Sequence, residues 1–130
     1  MKFLVVDDSS TMRRIVINSL QRIGFNDTVE AEDGQAALAA FDPSVKLVIT
    51  DWNMPNMTGP EFVAALRARG STVPVLMITA RSSREDIVAA MHAGASNYIV
   101  KPFTPQVLKE KVDALLAPLL SAASPAAAGA

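Results

Sequence analysis

Carboxylates, a hydroxyl and an ammonium recur in this sequence at the points where apolar runs stop. "FLVVDDSS" (3–10) ends in the adjacent Asp7 and Asp8, "LVITDW" (47–52) in Asp51, "VLMITA" (75–80) in Thr79, and "NYIVKP" (97–102) in Lys101. If these runs are strands of one sheet, three carboxylates crowd together in surroundings of low dielectric and repel one another. Something positive must sit among them, and either Lys101 or a divalent cation qualifies. The chain has no cysteine and its one histidine, His92, lies elsewhere. Ligands would therefore be oxygens, which suits the hard ion Mg²⁺ with its preference for one or two carboxylates, waters and a phosphate. Such a site is equipped for phosphoryl transfer. A carboxylate can act as nucleophile and carry an aspartyl phosphate, while the metal and Lys101 neutralise the phosphoryl oxygens and the Thr79 hydroxyl bonds one of them. Asp51 is the preferred nucleophile, because Asp7 and Asp8 as a pair are better placed to hold the ion.

The elements that would position these groups follow from hydrophobic pattern. Strands are expected at 2–6, 28–31, 45–50, 73–79 and 96–100, three of the five nearly all apolar, which suits strands covered on both faces. Helices alternate with them. Met12, Ile15, Val16, Leu20 and Ile23 recur at helical spacing before Gly24, and Leu108, Val112, Leu115, Leu116 and Leu119 do so after Pro105. Thr58 with Glu61, and Ser82 with Glu85, have the spacing of capping boxes. Five strands alternating with five helices predict an α/β fold, a doubly wound parallel sheet with helices on both faces. Ligands in such sheets gather at the carboxyl ends of the strands, where the polar groups stand.

Composition narrows the class. At 130 residues, 50% hydrophobic, 19% charged and with a net charge of −1, the chain fits one ordinary globular domain and offers no basic surface for nucleic acid or anionic lipid. No segment has the layout of a secretory signal or the roughly 20 apolar residues of a membrane span. A cytoplasmic protein is the simplest expectation. The last ten residues, "SAASPAAAGA" (121–130), are too poor in large apolar side chains to offset their ordering entropy, so a folded domain at 1–120 and a flexible tail at 121–130 are expected.

Taken together, "VVDDSSTMRRI", "ITDWNMPNMTG", "LMITA" and "NYIVKPFTP" resemble the receiver domains of two-component response regulators, over about residues 2–117. Any one motif would be weak; all of them in order are specific. The resemblance implies a flavodoxin-like (βα)5 fold with a five-stranded sheet in the order 2-1-3-4-5. It implies that Asp51 accepts a phosphoryl group from the phosphohistidine of a sensor histidine kinase, and that Mg²⁺ is held by Asp7, Asp8, Asp51 and the backbone carbonyl of Asn53. Lys101 would contact the phosphoryl group, with a cis bond to Pro102. Thr79 and Tyr98 match the switch pair, Thr79 drawn to the phosphoryl oxygen and Tyr98 swinging inward behind it. The protein would signal as a monomer through residues 80–105, and a dedicated phosphatase is a further partner. Similarity of "DDSSTMRRI" and "DWNMPNM" to chemotaxis members points to the flagellar motor switch; a stand-alone receiver acting as phosphate sink or phosphorelay intermediate is the alternative.

Plainer readings compete. An acidic pair after a strand can simply cap a helix, with Ser9 or Ser10 sharing the task; Tyr98 can be a half-buried strand aromatic; Arg13 and Arg14 read as a solvated helix face, and His92 as a helix-end cation before Gly94. Thr58 replaces the acidic residue that receivers usually carry before the glycine, and Arg81 stands where the best-known chemotaxis members are acidic. An aspartate-nucleophile phosphatase would place its nucleophile after the first strand and need a cap domain. A nucleotide- or flavin-binding module would need a loop rich in backbone donors there, where this chain has two carboxylates. The chain is therefore expected to be a phosphoacceptor, catalysing only its own phosphorylation and dephosphorylation, and not an enzyme acting on a separate substrate.

Overall fold

A computed structural model describes residues 1–123, with side chains through Pro118. Strands β1 (Lys2–Val6), β2 (Asp27–Ala31), β3 (Val45–Thr50), β4 (Val75–Thr79) and β5 (Asn97–Val100) alternate with helices α1 (Ser10–Arg22), α2 (Gly34–Ala40), α3 (Gly59–Ala68), α4 (Arg84–Ala93) and α5 (Pro105–Ala123). All strand pairs are parallel, and their order is β2-β1-β3-β4-β5. This is the flavodoxin-like doubly wound arrangement that the receiver resemblance implies.

The two-residue period of the strands divides the core. Phe3, Val5, Leu47, Ile49, Leu76, Ile78 and Ile99 face α1 and α5, meeting Val16, Ile17 and Leu20 from the one and Leu108, Val112 and Leu116 from the other. Leu4, Val6, Val48, Val75 and Met77 face the other way, towards Ala37 of α2, Phe62, Val63 and Leu66 of α3, and Ala90 of α4. Each large side chain taken from water here contributes roughly 1.5–3 kcal/mol before entropy is counted. At its start β1 pairs Lys2 with Val45 but Phe3 with Leu47, leaving Lys46 unmatched. That bulge allows Val45 and Leu47, two apart in sequence, to enter opposite cores while Lys46 stays in solvent.

Helix ends differ from expectation in three places. The inward face of α1 carries Ile17, and Ile15 is 46% exposed, because the stripe runs through 16, 17 and 20. Helix α4 is capped by Ser83, which accepts from the Asp86 N–H, and not by Ser82. Both serines have an acidic residue three positions on; starting one residue later turns Ala90 into the core. The Thr58–Glu61 capping box at α3 is present in full. Helix α5 continues through Pro118 to Ala123, past the boundary expected at 120, since its Ala- and Leu-rich flanks favour helix strongly enough to absorb the proline. Residues 124–130, and the expected mobility of the tail there, lie outside the described residues.

One clamp had no signature in the pattern. The partly buried Arg67 of α3 donates to the carbonyls of Gly94, Ser71 and Val73, tying the end of α4 and the turn before β4 to α3. Close packing is tightest at Gly59, whose N–H donates to the Trp52 carbonyl at 2.8 Å. A Cβ there would stand 2.2 Å from the Asp51 carbonyl oxygen. Gly59→Ala is accordingly expected to destabilise the domain by roughly 2 kcal/mol or more, since backbone and not a flexible side chain must yield; urea unfolding measures it.

Candidate functional site

The sheet's own hydrogen-bond ladder places the polar residues. Asp7 N–H donates to the Ala31 carbonyl at 3.1 Å, Asp51 N–H to Val6 at 3.0 Å, and Lys101 N–H to Thr79 at 2.8 Å. The residue just past each strand is thus still tied to the neighbouring strand, so its side chain emerges at the sheet edge from a fixed backbone. One carboxylate oxygen from each of Asp7, Asp8 and Asp51 lies within 4.8 Å of the others. Asp7 is 5% exposed, and Asp8 is open to solvent.

The capping alternative for the acidic pair is settled by Ser9. Its hydroxyl accepts the Met12 N–H at 3.1 Å and caps α1, while Asp7 Oδ1 accepts the Ser9 N–H at 2.9 Å. The two aspartates are therefore not spent on the helix. Arg13 is not a solvated cation either: it donates to the Asp7 carbonyl at 2.6 Å and to Glu30 at 3.0 Å, bracing the turn that carries the pair.

Lys101 supplies the compensating charge. Its Nζ lies 3.3 Å from Asp51 Oδ2 and 3.6 Å from Asp7 Oδ2, and its peptide bond to Pro102 is cis. One ammonium against three carboxylates leaves excess negative charge. Burial above all, with the charge of Asp51, pushes the Asp7 carboxyl above its ordinary value despite the opposing Ser9 N–H and Lys101. Oxygen donors, a shortage of positive charge and no nitrogen or sulfur ligand in the cluster fit a hard divalent cation.

Thr79 is fully buried, and its Oγ1 accepts the Arg81 N–H at 3.3 Å. Tyr98 is 9% exposed and donates its hydroxyl to the Arg81 carbonyl at 2.6 Å. Tyr98 thus lies inward in this structure. The Arg81 guanidinium donates to Asn53 Oδ1 at 3.0 and 3.3 Å, pairs with Asp86 at 3.5 Å, and lies 4.8 Å above the Trp52 ring. A groove of about 880 Å³ lies at the opposite sheet edge among Phe41, Pro43, Arg69 and Pro74, away from the carboxylates.

Residues 3–113 match the family described as the response regulator receiver domain. The chain belongs to that family. Similar relatives include the chemotaxis protein CheY1 of Helicobacter pylori, 52% identical over 120 residues that span 89% of this chain and 97% of that one. The chemotaxis protein CheY homolog of Campylobacter jejuni is 52% identical over 89% of this receiver and 92% of its own length. Among solved structures, chemotaxis protein CheY4 of Vibrio cholerae superposes with a TM-score of 0.81 at 39% identity, covering 88% of this receiver and 98% of that chain. A receiver domain protein from Clostridium thermocellum gives a TM-score of 0.82 at 28% identity, over 90% and 94% of the two chains.

Every residue singled out in the receiver's sequence as a site candidate, Asp7, Asp8, Asp51, Asn53, Thr79, Tyr98 and Lys101, therefore stands at or beside this edge. The braces Arg13 and Arg81 are added by the fold: Glu30 lies 17 residues from Arg13, Asn53 lies 28 and Tyr98 17 from Arg81, separations at which no local pattern reveals a partner. Because the folded state raises the proton affinity of Asp7, ionised Asp7 subtracts stability above that raised pKa. The penalty is relieved as pH falls through it. Asp7→Asn should raise the stability of the metal-free protein by about 1 kcal/mol, with the gain shrinking as Mg²⁺ is added, both read from urea unfolding at neutral pH.

Proposed function

We propose that this receiver is a phosphorylation-activated chemotaxis regulator whose phosphoacceptor is Asp51. One observation carries the assignment. Asp51 follows the central strand β3, with the carboxylates of Asp7 and Asp8 beyond β1 on one side, and Thr79 at the end of β4 and Lys101 beyond β5 on the other. It is the carboxylate that belongs both to the cation cluster and to the phosphoryl-binding groups. Asp7 and Asp8, off to one side, hold the ion.

In this reading a carboxylate oxygen of Asp51 attacks the phosphorus of a kinase phosphohistidine; the new O–P bond forms as the N–P bond breaks, and the imidazole leaves. Asp7, Asp8, Asp51 and the Asn53 carbonyl would hold Mg²⁺, which when bound supplies positive charge for the phosphoryl oxygens. Lys101 moves from its carboxylate partners to a phosphoryl oxygen, and the Thr79 hydroxyl donates to another. That pull acts on Arg81, whose N–H bonds Thr79 and whose carbonyl bonds Tyr98. Thr79 and Tyr98 thus form the switch, coupled through one residue's two backbone groups. It biases two packings of the loop before α4, and phosphorylation shifts the balance between them.

The output surface is the face of α4, β5 and α5. Val88, Met91, Val100 and Val107 are each more than one-third exposed there, beside a groove of about 290 Å³ lined by Tyr98, Pro102, Phe103 and Lys111. Helix α4 buries only Ala90 completely, so it is lightly held against the body. Relatives named as chemotaxis proteins support the flagellar motor switch as the partner and a chemotaxis histidine kinase as donor. No helix among the described residues is long and apolar enough to cross a membrane, in keeping with a cytoplasmic messenger.

Beryllofluoride with Mg²⁺ mimics the phosphorylated aspartate, and Trp52, the only tryptophan, adjoins Asp51. The mimic should change Trp52 fluorescence and raise affinity for an N-terminal peptide of the flagellar switch protein several-fold. Asp51→Asn should abolish both responses while leaving the circular dichroism spectrum intact. A Trp52 response without peptide binding would point to the sink or relay role, and a response that survives Asp51→Asn would remove Asp51 as acceptor.

A further inference from the structure

Apart from Asp7, Asp33 is the only buried carboxylate among the described residues, 8% exposed. Capping α2 occupies one of its oxygens: Oδ1 accepts the Ala36 N–H at 2.7 Å. A serine would do as much. What distinguishes an aspartate is the second oxygen, and here Oδ2 accepts the Asn56 side-chain amide at 2.9 Å across 23 residues of sequence. Asn56 is in turn the only non-glycine residue at positive φ among those described, at 69°, a backbone state that asparagine tolerates better than most. The next residue, Met57, lies so close to Gly34 that a Cβ on the glycine would come within 2.8 Å of it. The loop between β3 and α3 is thus fastened from outside, onto the start of α2.

That loop carries Asn53, the one main-chain ligand in the proposed cation site. A carboxylate can follow an ion by rotating its side chain. A backbone carbonyl cannot, because its position is set by the φ and ψ angles of the loop alone. Mg²⁺ demands near-ideal octahedral geometry at about 2.0–2.1 Å, so a small drift of the loop would misplace this ligand more than the others. The Asn53 side chain faces Arg81, which is itself 40% exposed at its side chain and shared with Asp86, so it offers a weaker hold.

We propose that Asp33 and Asn56 are a positioning pair for the cation site: their carboxylate–amide bond fixes the β3–α3 loop in the conformation that presents the Asn53 carbonyl to the ion held by Asp7, Asp8 and Asp51. The inference rests on the Mg²⁺ reading of the site and adds two residues that touch neither metal nor phosphoryl group.

The test is a Mg²⁺ titration followed by Trp52 fluorescence, with urea unfolding in parallel. Asp33→Ser retains a helix cap but lacks the second oxygen; Asn56→Gly keeps the positive φ but lacks the amide. Each should weaken Mg²⁺ binding by about tenfold, a common effect of losing a group that orients a ligand. The double variant should lose no more than the larger single loss, because one bond is broken in either case. The urea midpoint of Asn56→Gly should fall only by the loss of one hydrogen bond, since glycine accepts the left-handed backbone. A purely structural bond would give a lowered midpoint with unchanged Mg²⁺ affinity, and would overturn the proposal, as would losses that simply add. Wild-type protein that takes up no Mg²⁺ would overturn the cation reading and the pair's role with it; wild-type protein that binds Mg²⁺ no better than the variants would overturn the pair alone.

Discussion

Three ladder hydrogen bonds that overrun the strands fix the backbones of two carboxylates that would otherwise repel each other and of the ammonium that lies between them. The N–H groups of Asp7, Asp51 and Lys101 are each committed to the carbonyl of an adjoining strand, at 2.8 to 3.1 Å. Their backbones cannot retreat without opening the sheet, and the sheet is held by two apolar cores that leave β4 buried at every position. Repulsion among the carboxylates must therefore be borne by shifted proton affinity, by Lys101 and, in the proposed reading, by a cation, and not by movement. Folding energy, spread over the whole domain, is what keeps this edge charged and ready.

Around that constraint the loops divide the remaining work. Ser9 caps α1, which frees the acidic pair. Arg13 braces the same turn through the Asp7 carbonyl, and Gly59 lets the chain pass close under Asp51 where any side chain would collide. Thr58 forms a complete capping box with Glu61, so the absence of an acid at that position leaves the start of α3 intact. None of these residues performs chemistry. Together they remove the competing demands that a polar group at a helix start would otherwise meet.

Much of this was legible in the sequence because its causes are local. An apolar run of strand length followed by a polar residue announces both a buried strand and its exit, so Asp7, Asp51, Thr79 and Lys101 could be located before any contact was known. Where two local signals competed, as for Ser82 and Ser83, the choice depended on which start turns Ala90 into the core, and that is a tertiary fact. The same holds for Ile15 against Ile17, a rotation of one position about a helix axis. Arg13, Arg67, Arg81, Asp33 and Asn56 lay beyond reach for a stronger reason: each acts on a group brought near by the fold, and an isolated arginine or asparagine in sequence carries no sign of its partner. Long polar side chains are thus the least legible part of such a site, although they set much of its stiffness.

Arg81 shows what that stiffness can transmit. Its side chain reaches Asn53 and Trp52 beside Asp51, and Asp86 in the first turn of α4, while its backbone bonds Thr79 and Tyr98. A new anionic group on Asp51 would draw the guanidinium and the Thr79 hydroxyl in the same direction, so side chain and main chain of one residue would respond together. Such a shift would change the balance at Asp86 of α4 and Tyr98 of β5, the two elements that carry the exposed Val88, Met91 and Val100. An acidic residue at this position would be repelled by the same event and would couple the site to α4 with the opposite sign. On the proposed reading, the charge at residue 81 would bear less on whether the edge can carry a phosphoryl group than on how its arrival would be felt by α4, through the contacts Arg81 makes with Asp86, Thr79 and Tyr98.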